Sequence, residues 1–337
     1  MTIRLIVALV AGFCLSTAVG AVLVPWLRKI KAGQSIKEIG PTWHKSKEGT
    51  PTMGGLMFIF AVAVVCFTVG FSCFTRREYS HLFVLIFAMV FGAIGFLDDY
   101  EKLRHKKNLG LSAGMKFLLQ LAAATAFLLL LRYTGYLTPN LYVPFWNLHL
   151  PVSEPLYFIF AAFVIVGTVN AVNLTDGVDG LAAGTCIPVF LCFTAIVFCW
   201  GREYIAQGIF SAGLTGALLG FLVYNFHPAR VFMGDTGSLF LGGAIAGMAF
   251  ALDVPLLLIP LCIMPIIETL SDILQVGYFK LSHGKRIFKM APFHHHLEMG
   301  GWFGHKWKET EIFVLFTGIT FAMAIVSLLG VTGRYSF

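Results

Sequence analysis

The sequence predicts an all-α polytopic integral membrane protein with about ten transmembrane helices. Of its 337 residues, 58% are hydrophobic and only 12% are charged, whereas soluble proteins carry about 25% charged residues. The mean hydropathy is +0.81. One helical span needs about 20 mostly apolar residues, and ten apolar runs follow one another along the chain. Length alone would allow two domains, but this composition favours one membrane-embedded domain over residues 1–337.

The ten apolar runs give the order of the predicted helices. They cover residues 3–27, 53–74, 82–98, 115–133, 156–173, 185–200, 205–224, 237–251, 254–278 and 312–331. Pro255, Pro260 and Pro265 fall in the ninth run, and because each proline removes a helical hydrogen bond, that helix is expected to bend or break. The connection 134–155 is rich in aromatic residues and proline, which predicts an interfacial hairpin or short strands.

Lysine and arginine concentrate on one side of the predicted helices. That side holds 18 of the 24 basic residues, counting Lys116 just inside a span. Its loops are 28–52, 99–114, 174–184, 225–236 and 279–311. Cytosolic loops are enriched in Lys and Arg, so these loops are expected to face the cytosol and both termini the opposite side. The net charge of +7 then reflects membrane topology, and its position at span ends argues against nucleic-acid binding.

Asp98 and Asp99 form the first polar cluster, at the end of the third run. Helical neighbours point about 100° apart, so the two acids need not share a partner. Lys102 lies one turn beyond Asp98, close enough for an ion pair, and Lys116 adds a charge suited to phosphate. A carboxylate beside a lysine could bind a metal or accept a proton, although a solvated helix end has the same composition.

The second cluster lies in the stretch 170–181, between two apolar runs. Asp176 and Asp179 are three residues apart, with Gly177 between them. Glycine lets backbone N–H groups approach an anion closely, so this stretch is expected to bind a cation or a phosphate. The spacing fits neither the dinucleotide fingerprint nor the P-loop, and an ordinary glycine-rich turn remains the alternative.

The third cluster, 225–239, contains Asp235 and Thr236 at the start of the eighth run. These two residues could simply cap that helix. A helix N-terminus is also an anion site, and an aspartate there can hold Mg²⁺ against a phosphate. Asn225 and Phe232 could hydrogen-bond to a base and stack on it.

The fourth cluster, 291–298, contains three adjacent histidines. Their spacing is not that of a zinc site, and phosphate contact or proton donation fits better. Glu268 and Asp272 precede them in the ninth run; acids at membrane depth are usually functional, although this helix could already have reached the interface. Oxygen ligands of this kind suit Mg²⁺ or Mn²⁺. The residues alone therefore predict a membrane enzyme that handles a phosphorylated, metal-bound substrate from the cytosol.

In this order, the four clusters resemble the polyprenyl-phosphate N-acetylhexosamine-1-phosphate transferase superfamily over essentially the whole chain. Segments 47–55 and 292–298 are similar to those of its phospho-N-acetylmuramoyl-pentapeptide-transferase family. The resemblance implies transfer of phospho-MurNAc-pentapeptide from UDP-MurNAc-pentapeptide to undecaprenyl phosphate, giving lipid I and UMP, with Mg²⁺ as cofactor. It also implies a homodimer in the bacterial cytoplasmic membrane.

The resemblance carries roles to matching positions. Asp235 would bind Mg²⁺, and Asp98 and Asp99 would serve the lipid phosphate or its proton. Residues expected to line the nucleotide-sugar site are Asn173, Asp176 and Asp179, and those expected near uridine or diphosphate are Lys47, Thr52, Gly177, Asn225 and Phe232. His294 and His295 match the histidine motif, and Lys102 and Lys116 complete the substrate-binding candidates.

Two questions stay open at this point. The lipid phosphate could attack directly, assisted by Asp98, or the reaction could pass through a covalent aspartyl-phosphate. The function could also be the sister transfer of N-acetylglucosamine-1-phosphate, which the histidine segment and the segment 51–55 disfavour. The third possible function is transport across the membrane. Transporters place polar groups near the bilayer midplane, whereas these clusters lie at span ends.

Overall fold

The computed structural model describes residues 1–30, 47, 49–105 and 110–334, apart from the side chain of His105. Parts of two predicted cytosolic loops, residues 31–46, 48 and 106–109, lie outside the described residues. The helices are α1 (Thr2–Lys29), α2 (Leu56–Thr68), α3 (Phe71–Phe74), α4 (Ser80–His105), α5 (Ala113–Tyr133), α6 (Glu154–Thr175), α7 (Leu181–Trp200), α8 (Ile205–Asn225), α9 (Gly234–Ala251), α10 (Leu258–Leu261), α11 (Ile263–Leu281), α12 (Phe293–Glu298) and α13 (Glu309–Gly330).

The polytopic membrane character is confirmed, with fewer full spans than the sequence predicts. Within the described residues, seven helices are long and apolar enough to cross a membrane, or eight with the bent pair that starts at Pro255. The remaining two predicted runs form α2, which has only 13 residues, and α9, which begins with the polar residues of the third cluster. The count of ten therefore stays a prediction.

The expected break in the ninth run is present. Segments Pro255–Leu261 and Ile263–Leu281 meet at Cys262 and are bent by 79°. The hairpin predicted within 134–155 is also present, as two antiparallel strands, β1 (Asn140–Val143) and β2 (Leu148–Pro151).

Helices α8 and α9 form the centre of the bundle. Their side chains are almost all buried, α8 packs against α1, α2 and α7, and α9 packs against α4 and α6. Gly95 permits the closest approach of α4 to α9, because a Cβ at this position would collide with the carbonyl oxygen of Asp235. The first and third polar clusters are brought together in this way.

Several loops are shorter than the hydropathy pattern predicts. Helix α4 continues to His105 instead of ending near residue 98, α7 begins at Leu181 inside the predicted loop 174–184, and α9 begins at Gly234 inside the predicted loop 225–236. An apolar run ends at the first charged residue. A helix can continue through charged residues whose side chains form ion pairs or hydrogen bonds. The acids Asp98, Asp99 and Asp235 consequently lie on helices.

Candidate functional site

Three carboxylates from α4 and α9 lie at the centre of the site. Asp98, Asp99 and Asp235 each offer an oxygen within 4.8 Å of the others. Lys102 Nζ bridges two of them, at 2.6 Å from Asp98 Oδ2 and 2.7 Å from Asp235 Oδ2. Lys116 Nζ lies 3.0 Å from the same Asp235 oxygen. The predicted pairing of Asp98 with Lys102 is therefore confirmed, and α5 supplies a second lysine.

Asp99 and Asp98 have different partners, as expected of helical neighbours. Asp98 Oδ1 accepts a hydrogen bond from the backbone N–H of Leu111 at 2.8 Å. Asp99 accepts from the backbone N–H groups of Asp235 (3.1 Å) and Thr236 (2.9 Å) and from the Thr236 hydroxyl (2.7 Å). Asp99 thus caps the N-terminus of α9, where a negative charge is favourable.

The suggestion that Asp235 and Thr236 cap their own helix is wrong. The residue before α9 is Met233, which makes no side-chain cap hydrogen bond, and Asp99 from α4 satisfies the first N–H groups instead. Asp235 is consequently free to point its carboxylate toward Lys102 and Lys116. Asp99 is 4% exposed, so its clearest role is to hold Asp235 in place.

Asn173, at the end of α6, orients the other oxygen of Asp235. Its Nδ2 donates to Asp235 Oδ1 and to Ser238 Oγ, both at 2.7 Å. The carboxylate group of three acids is the donor set that Mg²⁺ prefers, so these residues fit a divalent cation. The two lysines already balance part of the negative charge, and an ion would share Asp98 and Asp235 with them.

A second charged group lies around Lys47 and Asp179. Lys47 Nζ is 2.8 Å from Asp179 Oδ1 and 2.6 Å from Glu309 Oε2, at the start of α13. Asp179 Oδ2 accepts from the backbone N–H of Ala229 and contacts His227 Nδ1, each at 2.9 Å. Burial opposes ionisation of Asp179, but the hydrogen bond and charge of Lys47 outweigh it and hold the pKa of this carboxyl below its usual value.

Asp176 lies between the two charged groups. Burial raises the pKa of its carboxyl well above the usual value, and the negative charges of Asp235, Asp99 and Asp179 add to this effect. Lys47 acts in the opposite direction. Because Asn173 binds Asp235 of the first group and Asp179 belongs to the second, the stretch 170–181 forms a wall shared by them.

The loop 50–55 packs against the segment that leads into α9. Gly54 N–H donates to the carbonyl of Phe232 at 2.8 Å, Gly55 N–H to that of Met233 at 3.1 Å, and Phe232 N–H to that of Pro51 at 2.8 Å. Thr52 is buried beside this pairing, and the Phe232 side chain is partly exposed.

Asn225 is buried at the end of α8, where it shapes the segment that precedes α9. Its Nδ2 donates to the Val231 carbonyl at 2.9 Å. Its Oδ1 has no hydrogen-bond partner among the described residues, which leaves one acceptor for a ligand.

The histidine segment forms the short helix α12. His294 is 1% exposed, and its Nδ1 lies 2.8 Å from Oε2 of the buried Glu268 on α11. His295 pairs instead with Glu298 at 2.6 Å. The rings of His294 and His295 lie 4.1 Å apart, and the ring of His294 lies against Gly177.

Sequence reasoning missed three residues of this site, and it noted a fourth, Glu268, without assigning it a partner. Glu309 and His227 complete the group around Lys47, Ser238 shares Asn173 with Asp235, and Glu268 holds His294. Glu268 carried a signal as an acid in an apolar run. Glu309 carried none, because it lies 262 residues from its partner Lys47.

Replacing Gly177 by alanine is expected to lower activity by at least about 10-fold, because the new Cβ would collide with Nε2 of His294 and a displacement of about 1 Å in a site can cost 100-fold. The measurement is turnover by the purified variant. Gly167→Ala is the matched control, since a Cβ there meets no described atom within 4 Å. Equal activity in the two variants would contradict the expected contact.

Comparisons with known proteins give one consistent family. The model for glycosyl transferase family 4 matches residues 80–253, and phospho-N-acetylmuramoyl-pentapeptide-transferase signature 1 matches residues 47–59. The phospho-N-acetylmuramoyl-pentapeptide-transferase of Oceanobacillus iheyensis is 44% identical over 95% of this chain and 96% of its own. The Halalkalibacterium halodurans protein of that name is 44% identical over 96% and 97%, and the Listeria monocytogenes protein 42% over 97% and 98%.

Proposed function

The chain belongs to glycosyl transferase family 4 and, within it, to the phospho-N-acetylmuramoyl-pentapeptide-transferases, and from this premise we propose how its site works. It transfers phospho-MurNAc-pentapeptide from UDP-MurNAc-pentapeptide to a polyprenyl phosphate, with release of UMP. The observation that carries the mechanism is the group of Asp98 and Asp235 bridged by Lys102. Such a group can bind two phosphorylated substrates and stabilise the negative charge that moves from one to the other during the reaction.

Asp98 is the residue that prepares the lipid phosphate. Its Oδ2 faces Lys102, whose ammonium would attract the phosphate, and its Oδ1 is fixed by the N–H of Leu111. An oxygen of the lipid phosphate attacks the β-phosphorus, the bond from that phosphorus to the bridging oxygen breaks, and UMP leaves. Asp98 accepts the proton of the attacking phosphate. Direct attack by the lipid phosphate therefore needs no covalent intermediate.

Asp235 is the proposed ligand of Mg²⁺, and Asn173 fixes its direction. When bound, Mg²⁺ neutralises the diphosphate and polarises the β-phosphorus. Lys116 and Lys102 supply further positive charge at the same carboxylate. Asp99 acts through the N-terminus of α9, which it holds in place.

The group around Lys47 and Asp179 is the proposed nucleotide side of the site. Gly177 adjoins this group in the stretch 170–181, and Asn225 and Phe232 flank the segment that carries His227. Thr52 lies nearer the carboxylates, beside Gly234 and Asp99. The peptide-bearing sugar then lies along the stretch 170–181, and His294 and His295 lie beside it.

The proposed topology follows the distribution of Lys and Arg. The site lies at one end of the bundle, at the C-terminal ends of α4, α6 and α8 and at the start of α9. The excess of Lys and Arg in the loops of that end supports a location at the cytosolic face of the bacterial cytoplasmic membrane. Ten spans, with α2 and α9 included, put both termini on the other face. The protein is a homodimer, and its lipid substrate is undecaprenyl phosphate.

A UMP-release assay with the purified protein tests this function. UMP is expected only when UDP-MurNAc-pentapeptide, undecaprenyl phosphate and Mg²⁺ are all present. UDP-N-acetylglucosamine in place of the first substrate is expected to give none. Equal release with both nucleotide sugars would favour the sister reaction, and no release with either would refute the assignment.

A further inference from the structure

A buried carboxylate–imidazole pair lies beside the nucleotide-sugar wall. Glu268 is 0% and His294 1% exposed. Glu268 Oε2 lies 2.8 Å from His294 Nδ1, and Oε1 accepts the backbone N–H of the same histidine at 3.1 Å. Both carboxylate oxygens of Glu268 thus contact His294, one at the backbone and one at the ring. Together they fix the position of this residue.

The bent helix explains how an acid from an apolar segment reaches this place. Glu268 lies shortly after the 79° bend, on the face of α11 that packs toward α12. The opposite face carries Leu270, Ile273 and Leu274, which are about half exposed and suit lipid contact. Burying an isolated carboxylate is costly, and here the two contacts with His294 offset that cost.

His294 is the histidine of the segment that faces the substrate wall. With Nδ1 bound to Glu268, its Nε2 has no partner among the described residues and lies against Gly177. His295 Nδ1 is bound by Glu298 within α12. His296 Nε2 also has no partner among the described residues, but its ring packs against Phe288, Phe293 and Trp302. A buried polar atom without a partner is destabilising, and a bound ligand would supply the missing partner.

We propose that Glu268 is a positioning residue that fixes the orientation of His294, so that Nε2 meets an oxygen of the bound nucleotide-sugar diphosphate beside Gly177. The buried pair is electrically neutral when the imidazole carries a proton on both nitrogens, and Nε2–H then donates to the anionic oxygen. This inference rests on the proposed function, since it deepens the same site.

The proposal is tested by a double-mutant cycle on UMP release by the full-length protein. Glu268→Gln keeps the shape and removes the charge, and it is expected to raise the KM for UDP-MurNAc-pentapeptide about 10–100-fold, the range seen when a partner that orients a histidine is lost. The KM for undecaprenyl phosphate is expected to stay within about threefold of wild type, because lipid binds away from Nε2. Glu268→Asp should recover part of the loss.

The cycle separates positioning from simple packing. If Glu268 acts only through His294, the double variant Glu268→Gln/His294→Ala is as active as His294→Ala alone. Thr269→Val, a near-isosteric change at the next position of α11, is the control and should retain activity and thermal stability.

Several outcomes would overturn the proposal. They are wild-type kinetics in Glu268→Gln, additive losses in the double variant, or a fall in the thermal unfolding midpoint that accounts for the lost activity in both Glu268→Gln and Glu268→Asp. Failure of the proposed function itself would look different, because the wild-type protein would then release no UMP.

Discussion

Replacing Asp235 by alanine is expected to abolish UMP release, with a loss of at least about 10³-fold, and to remove the response of the remaining activity to Mg²⁺. Asp235 is the carboxylate on which Lys102, Lys116 and Asn173 all converge. Its removal takes away the proposed metal ligand and leaves two ammonium groups with one fewer counter-charge. The measurement is turnover as a function of Mg²⁺ concentration.

A matched control lies beyond the opposite end of α9. Asp253 follows that helix of 18 residues, whose rise separates its two ends by about 27 Å, so Asp253→Asn is expected to keep its activity and its Mg²⁺ response. Wild-type turnover by Asp235→Ala at ordinary Mg²⁺ concentration would refute the assignment of the metal ligand.

Replacing Asp98 by asparagine is expected to lower kcat by about 10²–10⁴-fold, the usual contribution of a positioned acid or base. The KM for UDP-MurNAc-pentapeptide is expected to stay within about threefold of wild type. Asparagine keeps an oxygen that can accept the hydrogen bond from Leu111, so the local structure should be retained. What is lost is the group that accepts the proton from the lipid phosphate.

Steady-state kinetics with each substrate varied in turn measure this separation. A rise in KM for the nucleotide sugar with unchanged kcat would assign Asp98 to substrate binding instead. A covalent aspartyl-phosphate route makes a different prediction, since UMP would then be released by the wild-type protein before the lipid is added.

The order of helices could be predicted from the sequence because apolar length is set by the thickness of the bilayer. The break in the ninth run was predictable from Pro255, Pro260 and Pro265, since the lost hydrogen bonds are a local property. The pair of Asp98 and Lys102 was predictable for the same reason, because one helical turn fixes their distance. The prediction of ten full spans was less secure, since α2 and α9 are short or polar at one end.

The partners of the site residues could not be predicted in the same way. Asp99 is next to Asp98 in sequence, yet its function as a cap for α9 depends on Gly95 and on the packing of two distant helices. Glu268 reaches His294 because the chain bends at Cys262, just before α11 begins. Such contacts depend on the tertiary arrangement of distant segments, which hydropathy and residue spacing do not reveal.

The pairing of Lys47 with Glu309 has a consequence for the synthesis of the protein. These residues are 262 positions apart, and a chain emerging from the ribosome therefore presents the lysine long before its second carboxylate exists. Since Glu309 opens α13, the charged group around Lys47 is completed only after that helix has been synthesised. Each nascent chain therefore lacks the second partner of Lys47 until α13 has been synthesised.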